Sequence, residues 1–140
     1  MVRKIFNKAH KPLVLFMVLV MSLQFVGCGS AKVPDSDVDI DLTTMSSTVV
    51  YSTVAAMIGT PDEFRGQTVR MEGTSISTHG QTHSCLIYDA LGCCAEGIEY
   101  ELTDGKYPDD EATITIVGTY TTYTMGGKIY FVLVDAVQEK

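Results

Sequence analysis

The chain has 140 residues, 17 acidic and 10 basic side chains, a formal net charge of −7 at pH 7 and 46% hydrophobic residues. All 17 acidic residues follow Cys28, against 6 basic ones there, so the part beyond that cysteine carries −11. That balance repels phosphate backbones, which argues against nucleic-acid binding, and it favours a cationic ligand or a metal ion.

Arg3, Lys4, Lys8 and Lys11 open the sequence, and no charged residue then occurs before Lys32. A basic start followed by an apolar run is the pattern of a secretory signal. The stretch from Pro12 to Gly27 is shorter than the roughly 20 residues a helix needs to cross a hydrocarbon core. It closes on Phe25-Val26-Gly27-Cys28. This resembles the lipobox of bacterial lipoproteins, with Phe25 where leucine is usual. The resemblance implies that Cys28 is lipidated, that residues 1–27 are a lipoprotein signal peptide, and that the protein stays on the extracytoplasmic face of the cell membrane by its lipid anchor. Two or three acyl chains suffice for such anchoring, at about 0.8 kcal/mol per buried methylene, where one chain holds only marginally. The bland alternative is an ordinary cleaved signal with Cys28 as a free or paired thiol.

Residues 28–43 are small and acidic, with Asp35, Asp37, Asp39 and Asp41 alternating with Ser, Val and Ile. So little apolar surface predicts an acidic flexible tether. The remaining residues, 44–140, suffice for one small domain with one core.

Within "MSSTVVYSTVAAMI", Val50, Val54, Met57 and Ile58 fall on one helical stripe. Thr43, Thr44, Ser46 and Ser47 offer caps, and Gly59 with Pro61 marks the end. Strands follow. "QTVRMEGTSI" puts Val69 and Met71 on one face and Thr68, Arg70 and Glu72 on the other, the period of a half-buried strand. "HSCLIYD", "GIEYEL", "ATITIVGTY" and "KIYFVLVDAV" supply four more, with "THGQT" and "TMGGK" as hairpin loops and "DGKYPDDE" as an irregular piece. Five strands in so short a chain argue for a small closed or nearly closed β-barrel, because closure removes exposed edges.

The segments "PDEFRGQTVRMEG", "CLIYDALGCCAEGIEYEL", "ITIVGTY" and "GGKIYFVLVDAV" carry a resemblance over residues 45–137. They are similar to a family of uncharacterised OB-fold lipoproteins of Gram-positive bacteria, and more distantly to the soluble domain of a permease-associated protein. The resemblance implies an all-β, OB-like five-stranded barrel with one N-terminal α-helix, attached to the membrane, with a membrane permease as a candidate partner. Pro61, Phe64 and Gly66 would make the turn into the first strand, and Asp89 and Ala90 would end the second. Cys93-Cys94 would be the family's distinctive pair. No particular activity is implied. The histidines of "THGQTHS" are not expected of the family.

Beyond Cys28 the thiols are Cys85, Cys93 and Cys94. In a strand from about Thr82 to Asp89, His83 and Cys85 share a face. Cys85, Cys93, Cys94 and His83 are donors of the right types for zinc or copper, although the spacing matches no zinc motif and adjacent cysteines ordinarily point apart. The rival is a disulfide among Cys85, Cys93 and Cys94, most readily from Cys85 to one of the pair, worth about 2 to 3 kcal/mol for so small a loop. Cysteine as a small apolar core residue is the third reading. A catalytic Cys-His pair lacks any surrounding signature, and the acidic "DGKYPDDE" lacks an EF-hand pattern and reads as a solvated turn. The expected function is a non-enzymatic binding module taking a metal ion or small ligand through the Cys93-Cys94 loop. The alternative is an extracytoplasmic thiol redox protein using Cys85 with Cys93 or Cys94.

Overall fold

The computed structural model describes residues 32–139. Cys28, the signal segment and the start of the tether lie outside the described residues. The fold is mostly β, with one sheet of six strands and, among the described residues, one α-helix. The strands are β1 (Ile40–Asp41), β2 (Thr68–Thr78), β3 (Thr82–Tyr88), β4 (Ala95–Leu102), β5 (Thr113–Met125) and β6 (Lys128–Glu139), and the helix is α1 (Ser47–Gly59).

Five strands form a ring. Neighbours run β2-β3-β4-β6-β5, and β5 returns to β2. All ring contacts are antiparallel except β4 with β6, which is parallel. A long strand serves two neighbours by bending: β2 pairs with β5 from Thr68 to Thr74 and with β3 from Thr74 to Thr78. Gly73 sits at the bend, where an added Cβ would lie 2.5 Å from the Leu86 carbonyl oxygen, so only glycine allows the crossing.

Alternation along the strands sends Val69, Met71, Cys85, Ile87, Ile98, Tyr100, Ile114, Ile116, Tyr120 and Leu133 inside. The helix closes one end of that core with Val54 and Met57, both fully buried, as the stripe predicts. Two phenols inside the core keep hydrogen-bond partners, as buried polar groups require. The Tyr120 hydroxyl donates to the Met57 carbonyl at 2.6 Å, and Tyr100 meets Ser75 at 2.8 Å. Burial pushes the Tyr120 phenol up to about 12.

The acidic stretch expected as a flexible tether over 28–43 is, from Val33 onward, laid against the ring. β1 pairs in parallel with Val69 and Arg70 of β2, and Leu42 is buried in the core. The reason is Arg70. Expected on the solvent face of its strand, it is instead 1% exposed. Its guanidinium donates to Asp35 and Asp41, each at 2.7 Å, to the Val33 carbonyl and to Glu139 at 3.3 Å. Glu139 in turn accepts from the Val33 amide at 2.7 Å. A buried charge needs such company. The aspartates that look like a solvated run supply it, so the sixth strand was hidden in a composition that reads as disorder.

Candidate functional site

β3 and β4 are joined by a tight turn from Asp89 to Cys94. The Asp89 amide donates to the Cys94 carbonyl at 2.9 Å, and Gly92, with φ 69°, donates back to the Asp89 carbonyl at 3.0 Å. The Asp89 side chain organises the interior of this turn. Its Oδ1 accepts the backbone N–H of Cys93 at 2.9 Å and of Cys94 at 3.4 Å, and its Oδ2 accepts the Cys93 thiol at 3.1 Å. An aspartate bonding the backbone ahead of it is ordinary turn chemistry.

The consequence for the sulfurs is specific. Adjacent side chains normally diverge, yet here both point to the same side and Cys93 Sγ lies 3.8 Å from Cys94 Sγ. One ligand atom each from Asp89, Cys93 and Cys94 fall within 4.8 Å of one another, the one such group among the described residues. Both cysteines are exposed. Two sulfurs bound at about 2.3 Å to one tetrahedral ion stand roughly 3.8 Å apart, and a carboxylate oxygen binds zinc at about 2.0–2.2 Å. The trio can therefore occupy three corners of a tetrahedron and leave the fourth open.

The local charges suit a cation. The hydrogen bond from Cys93, with the backbone bonds of the turn, lowers the Asp89 carboxyl below its ordinary value and outweighs the opposing effect of burial. The same bond, followed by that to Cys94, raises the Cys93 thiol. Tyr51 of α1 stands close enough that its phenol is raised, first by burial and then by Glu96, Cys94, Asp89 and Cys93.

Of the four residues read from the sequence, the structure brings together Cys93 and Cys94, and His83 and Cys85 are not in this group. They do share a face of β3, but that face turns inward. Cys85 is fully buried, and burial followed by the charge of Glu72 pushes its thiol up to about 12. His83 stacks on Tyr107 with ring centroids 3.7 Å apart and 8° between the planes. Cys93 and Cys94 lie beyond the end of the strand, on the surface. All three described cysteines are free thiols, so Cys85 is the packing cysteine and the pair is the accessible one. "DGKYPDDE" makes turns as expected: Asp104 accepts from the Lys106 amide at 3.0 Å and Asp110 from the Ser77 amide at 2.6 Å. Asp89 is the member that sequence reasoning missed. Its signal was an Asp three residues before Gly92 and four before the first cysteine of the pair.

Fold and site together define a mostly β domain, built on a ring of five strands, that carries an exposed carboxylate–dithiol cluster. Compared with models of protein families, with curated proteins and with solved structures, the chain matches none.

Proposed function

We propose that this chain is a lipid-anchored binding module on the extracytoplasmic face of the membrane, and that it holds zinc at Asp89, Cys93 and Cys94 without catalysing a reaction. The observation that carries the reading is the 3.8 Å separation of the two exposed sulfurs beside an ionised carboxylate. That separation suits the tetrahedral angle of zinc better than the wider span of a linear copper(I) dithiolate. The five-strand ring with its single parallel contact supports an OB-type barrel, in which loops at the strand ends commonly carry the binding site. That step is analogy of fold. Anchoring rests on the apolar run that closes on Gly27-Cys28. A membrane permease is the partner that the resemblance suggests.

The redox alternative pairs Cys85 with Cys93 or Cys94. Against it stands a buried Cys85 thiol raised to about 12 and a Cys93 thiol raised by its carboxylate neighbour, since the thiolate is the reactive form. The test is a zinc titration of the full chain in detergent against a competing chelator. One equivalent should bind, and Cys93→Ser or Cys94→Ser should weaken it by about 100-fold or more while Cys85→Ala leaves it unchanged. Equal binding by the wild type and both serine variants would refute the site.

A further inference from the structure

β2 and β3 separate beyond their crossing at Gly73. Their pairing begins at Thr74 with Leu86, while Ile87 and Tyr88 remain with β4 alone. On the other flank β1 covers only Val69 and Arg70. Between these limits lies a cavity of about 290 Å³, open to solvent. Leu42 from the N-terminal strap, Val50 from α1, and Leu86 and Ile87 from β3 line it. The volume is near the lower end of small-molecule pockets, about 300 Å³.

Polar and apolar groups share the lining of this groove. Thr43 and Ser47 are in the lining, the Thr43 hydroxyl already donating to Asp41 at 2.5 Å, and Tyr88, 46% exposed, brings a ring. Glu72 is the one carboxylate in the lining, and no basic residue lines it. Its Oε2 accepts from the Thr115 hydroxyl at 3.2 Å, and among the described residues no lysine or arginine forms an ion pair with it. An unneutralised carboxylate at a groove of mixed lining, in a chain that carries −11 beyond Cys28, selects for positive charge.

We infer that this groove binds a small organic cation, with an apolar body about the size of one aromatic ring and a single ammonium group. The body lies against the apolar part of the lining, and the ammonium donates to the free oxygen of Glu72. The ring of Tyr88 offers a second attraction for a cation. This site uses neither thiol and stands or falls independently of zinc.

The experiment uses the full chain in detergent micelles with three probes of one shape: phenethylammonium, 2-phenylethanol and phenylacetate. Methyl resonances of Leu42, Val50, Leu86 and Ile87 report site occupancy, which separates binding from partition into micelles. Phenethylammonium should shift these methyls saturably, 2-phenylethanol more weakly and phenylacetate not at all. Glu72→Gln, a change at an exposed position, should weaken the ammonium probe by about tenfold and abolish its advantage over the alcohol. Ser47→Trp, also at an exposed position, should block all three. Equal binding of the three probes, shifts confined to other methyls, or full affinity in Glu72→Gln would overturn the proposal. So would the same shifts on raising protein concentration without probe, which would make a second copy the occupant.

Discussion

Arg70 and Asp89 each gather several hydrogen bonds around one charged side chain, and they use them for opposite ends. The guanidinium is covered, and its partners come from both ends of the described chain: Val33, Asp35 and Asp41 on one side and Glu139 on the other. The carboxylate is half-exposed, and its partners are the next residues of its own turn. A charge satisfied by distant segments holds a fold together. A charge satisfied within one exposed turn, with two thiols beside it, is free to bind something else.

The largest expected effect is at the first of these. Arg70→Met leaves Glu139 and Asp41 without their cation and unlatches the strap, so urea unfolding should show a loss of about 3 kcal/mol. A loss below about 0.5 kcal/mol would make the strap an ornament, and the contrast with Asp89 would fail. At the second centre the same kind of removal should leave stability almost untouched. Asp89→Asn should weaken zinc binding by about tenfold with little change in the urea midpoint, since the amide oxygen still accepts the backbone N–H groups.

Acid should separate the two regions as well. Asp35 is held below the ordinary 3.8 by the Arg70 and Lys32 bonds. At Asp41 burial acts to raise the carboxyl, but the Thr43 and Arg70 hydrogen bonds outweigh it and the net shift is down. Carboxyls lowered on folding add stability that is complete above their unfolded value and is lost as pH falls through the folded one. The latch should therefore hold down to about pH 4 and open below it. Zinc binding responds at much higher pH, because the raised Cys93 thiol must give up its proton. Affinity should rise at least about tenfold from pH 6 to pH 7, measured by competition at each pH.

The mildest test concerns the thiols themselves. Iodoacetamide should label Cys93 and Cys94 in the native protein and reach Cys85 only in denaturant, as counted by mass spectrometry. Native labelling of Cys85 at the rate of the pair would erase the distinction between the packing cysteine and the accessible ones.

Much of the ring was legible because strands announce themselves by alternation. Val69 and Met71, Cys85 and Ile87, and Ile114 and Ile116 all point inward as the period of two requires. The helix was equally plain from Val54 and Met57. The strap was not, because its aspartates take their meaning from Arg70, some 30 residues away, and local composition cannot report a distant partner. The same limit shaped the site. Cys93 and Cys94 stood out as a pair, strand alternation put Cys85 and His83 on one face, and only donor type joined the two sets. Alternation could not say that the shared face of β3 turns inward while the turn beyond it faces out. Asp89 read as the end of a strand, although its three hydrogen bonds are what bring the sulfurs together.

The most direct test is X-ray absorption at the zinc edge on the full chain loaded with one equivalent. The account predicts two sulfurs at about 2.3 Å with one or two oxygens near 2.0–2.2 Å, and loss of one sulfur in Cys94→Ser. Three sulfurs, which would bring in Cys28 or Cys85, or a shell of nitrogen and oxygen alone, would contradict it.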